Sequence, residues 1–406
     1  MAVAMADVLA QDHGLLPEIY DPSEGFLLQT ADRSFSLHPA FMAQFRAVAN
    51  FRQGITQSTG GGEAGGIGAD NQFGFEVRRL RFSLDGNVLT PNIMYYVQFA
   101  ADQGSSVGLL DAYVLYRISD QSPLALKAGQ FKDPVWHEQN LLPSNLLAAD
   151  RSLVNALIGG GQTQRVQGMA IIYDQDNLRG QLVAHDGYNS QNTSFVEAGG
   201  MGNEVGAGAG VTPTDFGLSV RAEDLVIGDR TPEFNPFVEY DQFTALRAKQ
   251  DIVVLGGGAD YSQSGSDNVT FHTLDASYES VSGLSAYAAY LGAYRHIHAL
   301  KGVPLGNYYD SGALAQAGYM LTSRIEPFVR YDYTHLDGSA LTGVSQDNIH
   351  EITVGANYYF HGQRAKATVD VSYLPNGCPT DVDTLGILKD DGHAEIFVRM
   401  QVQIEI

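Results

Sequence analysis

The basic residues of this chain recur on alternate positions, and that spacing limits the chemistry open to them. Arg79 and Arg81 flank Leu80, while Gln44, Arg46, Asn50 and Arg52 interleave with Phe45, Ala47, Ala49 and Phe51. In an extended chain, side chains two residues apart project to the same side. The same alternation places Arg46, Arg52, Arg79, Arg81, Arg117, Lys127, Arg165, Arg179, Arg221, Arg330, Lys366 and Arg399 on one polar face. Asp85, Asp111, Glu223, Asp332, Glu351, Asp370 and Glu395 share that face, which leaves most of the acids to loops and turns. A basic face enclosed by an acidic exterior would focus a potential favourable to anions. The alternative is that the arginines pair with nearby acids and only keep an enclosed space wet.

Other candidate chemistry is weaker. Gly60-Gly-Gly-Glu-Ala-Gly-Gly-Ile-Gly68 lacks the Lys-Ser/Thr ending of a phosphate-cradling loop and reads as a flexible connection. His296 and His298 share a strand face but have no third ligand, so no metal site is expected. His137-Glu138, beside Trp136, reads as loop packing or rim contact. There is no Gly-x-Ser-x-Gly elbow, and no Ser or Thr is singled out by a partner among His185, His272, His335 and His350. No catalytic residue, metal or cofactor is therefore expected, and an enzyme is the disfavoured class. Cys378, in Pro375-Asn376-Gly377-Cys378-Pro379, has no partner for an internal disulfide and reads as an incidental exposed thiol.

The elements that position these residues follow from composition and period. The 406 residues include 21 Tyr, 19 Phe and 45 Gly, yet only 44% are hydrophobic. That mixture suits a wall with one apolar and one polar face. A net charge of -22 argues against nucleic acid as a partner. No run of about 18 apolar residues is present, which excludes a transmembrane helix but not a closed barrel. The opening residues 1–10 read either as the remnant of a signal peptide or as an unstructured start.

Alternating segments predict sixteen strands near 40–53, 72–85, 91–102, 109–118, 122–131, 166–174, 178–186, 214–223, 251–262, 268–280, 284–296, 312–321, 324–335, 347–361, 364–374 and 392–406. A further candidate, 233–244, follows Pro232 directly, holds Pro236 and is demoted to a long turn, with a small helix expected over 243–250. Short turns alternate with long connections at 54–71, 132–165, 187–213, 297–311, 336–346 and 375–391. The predicted fold is all-β: a transmembrane antiparallel β-barrel in a bacterial outer membrane, with short periplasmic turns and long external loops. An N-terminal periplasmic segment, 1–39, would precede a barrel over 40–406. The apolar face would meet lipid, with Tyr308-Tyr309 and Tyr358-Tyr359 in interfacial girdles.

The stretches Glu76-Val-Arg-Arg-Leu-Arg-Phe-Ser-Leu-Asp-Gly86, Tyr95-Tyr-Val-Gln-Phe99, Asp111-Ala-Tyr-Val-Leu-Tyr116, Leu126-Lys-Ala-Gly-Gln-Phe-Lys-Asp-Pro134 and Asp150-Arg-Ser-Leu153 resemble the phosphate-selective porin O and P family. The motifs cover the first half of the chain; the second half agrees in architecture. The resemblance implies a homotrimer of 16-stranded barrels. It also implies a loop, 132–165, that folds inward to narrow the pore, and basic side chains that conduct anions. Arg79, Arg81, Lys127 and Lys132, with Arg151 on the loop, are the residues it carries over. The expected function is a passive channel for small hydrophilic solutes with a preference for anions. The alternatives are a phosphate- or polyphosphate-specific channel, or a structural or adhesive barrel without transport.

Overall fold

The structure, a computed structural model, describes residues 26–52, 71–102, 106–119, 121–195, 215–231, 233–300, 303–337, 348–389 and 392–406. The opening residues 1–10 and the glycine run 60–68 lie outside them, as do large parts of the connections expected at 54–71, 187–213 and 336–346. After a two-residue strand β1 (Leu28–Gln29) come β2 (Ser36–Arg52), β3 (Asn71–Asn87), β4 (Ile93–Ala100), β5 (Gly108–Arg117) and β6 (Leu124–Lys132). Next are β7 (Arg165–Gln175), β8 (Leu178–His185), β9 (Phe216–Ile227), β10 (Ile252–Ser264), β11 (Asp267–Glu279) and β12 (Leu284–Leu300). The series ends with β13 (Val303–Tyr319), β14 (Ile325–His335), β15 (Asn348–His361), β16 (Ala365–Leu374) and β17 (Glu395–Glu405).

Each strand from β2 onward pairs antiparallel with the next, and β17 returns to β2 through pairs from Glu395–Arg52 to Glu405–Met42. Sixteen strands thus close one barrel, with β1 a short addition to β2. Closure satisfies every ladder hydrogen bond without a free edge, the condition for a sheet to cross lipid.

The pleat sorts the side chains. Val354, Ile352, Met400, Val402 and Ile404 are exposed on the outer wall, while Glu351, Thr353, Gln401 and Gln403 are buried within. Exposed aromatics collect toward both ends of the strands. Phe51, Phe73, Phe75, Tyr294 and Tyr331 lie toward the long-loop end, and Phe41, Tyr116, Tyr319, Tyr358 and Phe360 toward the turn end. These are the two girdles that a membrane interface selects.

Four sequence expectations are corrected. The loop at 297–311 is instead the continuation of β12 and β13, because period two persists through Ile297 and Tyr309 despite Pro304 and Gly306. No helix forms over 243–250. The helix there is Pro236–Tyr240, started by Pro236 at its first turn and by Asn235, whose side chain accepts from Phe237 N. The first barrel strand starts at Ser36, inside the segment assigned to the periplasm. Cys378 is buried, packed with Leu374, Leu385, Ile387 and Phe397, and burial pushes its thiol up to about 12.

Val354 lies mid-strand on the outer wall. Val354→Arg is expected to cost about 2–4 kcal/mol in refolding titrations into lipid vesicles. A neutral result would remove that face from the hydrocarbon.

Candidate functional site

The connection between β6 and β7, residues 133–164, turns into the barrel. It carries three short helices, α1 (His137–Asn140), α2 (Leu153–Leu157) and α3 (Gly160–Thr163). From the opposite end the β9–β10 connection also enters, carrying α4 (Pro236–Tyr240). The two segments meet inside. Phe243 N donates to Asn145 O at 3.2 Å, and Asn145 Nδ2 to Asp241 O at 3.0 Å. The His137 ring stacks on Tyr240 with centroids 3.8 Å apart.

One side of the lumen carries an apolar cluster. Val135, Trp136, Leu146, Leu147 and Val154 of the inward segment pack on Val269, Phe271, Tyr287, Leu291, Leu314 and Phe328, which line the inner faces of β11–β14. The uniformly polar inner face expected from alternation is therefore wrong for these strands. Burying apolar area at about 25 cal/mol per Å² anchors the segment on this wall.

On the β2–β9 side the sequence signals converge. Gly129, in the motif Leu126-Lys-Ala-Gly-Gln-Phe131, has φ +135, and a Cβ there would sit 2.2 Å from Ala112 O. Only glycine lets Tyr113 cross it from the neighbouring strand. A β-bulge pairs Gln44 with Arg79 and Phe45 with Val77, so Arg78 is the extra residue and turns inward with Arg79. Strict alternation had set Arg78 aside.

Arg78, Arg79 and Arg46 meet at Asp150 of the inward segment. Asp150 accepts from Arg78 Nε at 2.6 Å, Arg79 Nη2 at 2.6 Å and Arg46 Nη1 at 3.0 Å. Its backbone carbonyl accepts from Arg330 Nη1 at 2.8 Å. Burial alone would raise the Asp150 carboxyl, but the Arg78, Arg79 and Arg46 guanidiniums overcome it and hold the group well below the carboxylate range.

The other expected cations are also engaged. Arg151 donates to the carbonyls of Glu138, Gln139 and Leu141, and Lys132 to those of Asn140 and Leu141. Lys366 donates to Leu146 O at 2.6 Å. Arg165 is bidentate to Asp111 at 3.0 and 2.8 Å, and Arg399 to Asp370 at 2.7 and 3.0 Å. Arg330 also meets Asp332 and Glu351, and Arg81 meets Asp102 at 2.9 Å. Arg117 is half-buried at the turn end of β5, apart from this group in the strand.

The interior is not a basic space inside an acidic shell. Strands β2–β8 bury Arg46, Arg52, Arg78, Arg79, Lys127, Lys132, Arg165 and Arg179 against only Asp85 and Asp111. Strands β10–β15 bury Asp260, Asp275, Glu279, Asp310, Glu326, Asp332 and Glu351 against Arg295 and Arg330. The lumen thus has a basic and an acidic wall. Between the inward segments and the basic wall lies a cavity of about 60 Å³. There Lys127, Lys132, Arg179 and Arg221 face Asp111, Glu223 and Asp241. His137 borders it too, and burial, with Arg221 nearby, lowers its imidazole to about 4, so it stays neutral at ordinary pH.

Removing the Asp150 charge leaves three guanidiniums buried without their shared partner. Asp150→Asn is expected to destabilise docking of 133–164 by about 3–5 kcal/mol, read as loss of hydrogen-exchange protection there. The native carboxyl is depressed, so its contribution is complete above the ordinary carboxylate range and declines as pH falls through it. The difference between wild type and Asp150→Asn should shrink in that acid window; a constant difference would remove Asp150 as the anchor.

The family model for phosphate-selective porin O and P matches residues 49–227, the part of the chain that carries the motifs. No curated protein matches in sequence. In fold, the chain is similar to an anion-selective porin from Comamonas acidovorans, with TM-score 0.59 and 12% identity over 92% of this chain and 100% of that one. It is also similar to Salmonella typhi OmpF in complex with daunomycin, with TM-score 0.55 and 14% identity over 93% and 100%. The outer membrane channel DcaP of Acinetobacter baumannii gives TM-score 0.52 and 12% identity over 93% and 99%. Closed wall, lipid-facing girdles, inward segment and family match together make this chain a porin barrel of the bacterial outer membrane.

Proposed function

We propose that this porin is a diffusion channel for small hydrophilic solutes, that it passes anions in preference to cations, and that it works as a homotrimer. The cavity beside β5–β9 carries the reading: four cations face three carboxylates there, a local excess of positive charge in a narrow space. The segment 133–164 acts as the constriction. Arg46, Arg79, Arg81, Arg117, Lys127, Lys132, Arg151, Arg165, Arg330, Lys366 and Arg399 set the potential along the path, most of them through bonds that also brace the segment. The anion-selective porin of similar fold supports the preference, and the trimer form of an outer membrane protein from Vibrio cholerae, at 11% identity, supports the assembly.

A phosphate-specific channel fits less well, because Asp150 already draws on Arg46, Arg78 and Arg79. The packed apolar side of the lumen favours a second reading, a structural barrel that conducts nothing.

Planar bilayers separate these. Discrete conductance steps and an anion-sided reversal potential in a potassium chloride gradient are expected. Replacing Arg79 and Arg81 by Ala should move the reversal potential toward the cation side. A cation-sided wild type would refute the preference, and zero conductance from an intact barrel would select the structural reading.

A further inference from the structure

We infer that Lys127 forms a binding subsite for small monocarboxylates in the lumen cavity. This rests on the channel reading above and adds a substrate class to it. Lys127 is buried on the inner face of β6, and its ammonium lies 4.0 Å from the Phe131 ring centroid and 5.4 Å from that of Tyr113. Its hydrogen bond is to Gln181 Oε1, at a long 3.4 Å. An ammonium has three donors, and a ring face attracts the charge without satisfying them.

The neighbouring guanidiniums are placed differently. Arg165 ends on Asp111, and Arg179 on Asp241 and Glu223. Lys127 makes no ion pair with any described residue. A buried cation with unfilled donors beside a cavity is a site that an anion completes.

The surroundings choose the anion. Phe131 and Ile172 give the cavity an apolar wall for a short alkyl group. Asp111, Glu223 and Asp241 line the same space and would repel a second negative charge on the ligand. The volume, about 60 Å³, is a few times the roughly 10–15 Å³ that one water needs. A singly charged carboxylate with a small apolar tail meets all three conditions; doubly charged phosphate meets fewer.

The test is the single-channel chloride current of the full chain with propionate, inorganic phosphate or propanol added at constant ionic strength. Propionate should reduce the current, phosphate should do so less, and propanol should have no effect. Lys127→Gln should weaken the propionate effect roughly tenfold, and Lys127→Arg should keep most of it. Gln181→Glu would give Lys127 an internal partner and should abolish the effect even if Lys127→Gln fails to fold; gels run with and without boiling identify folded barrels. An undiminished propionate effect in folded Lys127→Gln or Gln181→Glu, or a stronger effect of phosphate, overturns the site. A cation-sided reversal potential with the propionate effect intact would refute the anion preference and leave the site standing.

Discussion

The Asp150 carboxylate accepts from three guanidiniums on two adjacent strands while its own carbonyl accepts from Arg330 on β14. These bonds span the lumen from β2–β3 to β14 through a single residue of the inward segment. A buried carboxylate and buried arginines are each costly alone; together, with most donors and acceptors satisfied, they fix one geometry. Arg151 and Ser152 continue the lock. Arg151 caps three carbonyls around α1, and the Ser152 side chain accepts from Asn155 N at the start of α2. The stretch Asp150-Arg-Ser-Leu153 is therefore a joint.

That joint holds a segment with its own apolar side, and the barrel answers with Phe271, Leu291, Leu314 and Phe328 turned inward. The result is an asymmetric interior: an apolar cluster set among buried acids against β11–β14, and a more basic side against β5–β9. The second inward segment, between β9 and β10, closes on the first through Tyr240 and Phe243. The cavity lies on the polar side, where Lys127, Arg179 and Arg221 stand among Asp111, Glu223 and Asp241.

Much of the wall was legible in the sequence because a pleated strand between lipid and water has period two, and lipid penalises exceptions. Sixteen strands and their inward and outward sides follow from that rule. It fails where a different constraint operates. At Arg78 a bulge adds a residue, and a bulge leaves no mark in polarity. At 303–311 Pro304 and Gly306 look like loop residues, yet hairpin pairing with β12 continues through them. Cys378 looked exposed because its neighbours are turn formers, but a cluster assembled from distant strands covers it.

The barrel and most of the cations that turn inward, Arg78 and Arg295 aside, are local consequences of alternation along the chain. Which of those cations are spent on structure was decided by tertiary contacts. Arg46 and Asp150 are brought together across more than a hundred residues of chain, and the inner face of β11–β14 can carry an apolar cluster only because a loop covers it. Such pairings depend on which segments share the lumen, and that is a property of the closed wall, not of any one strand.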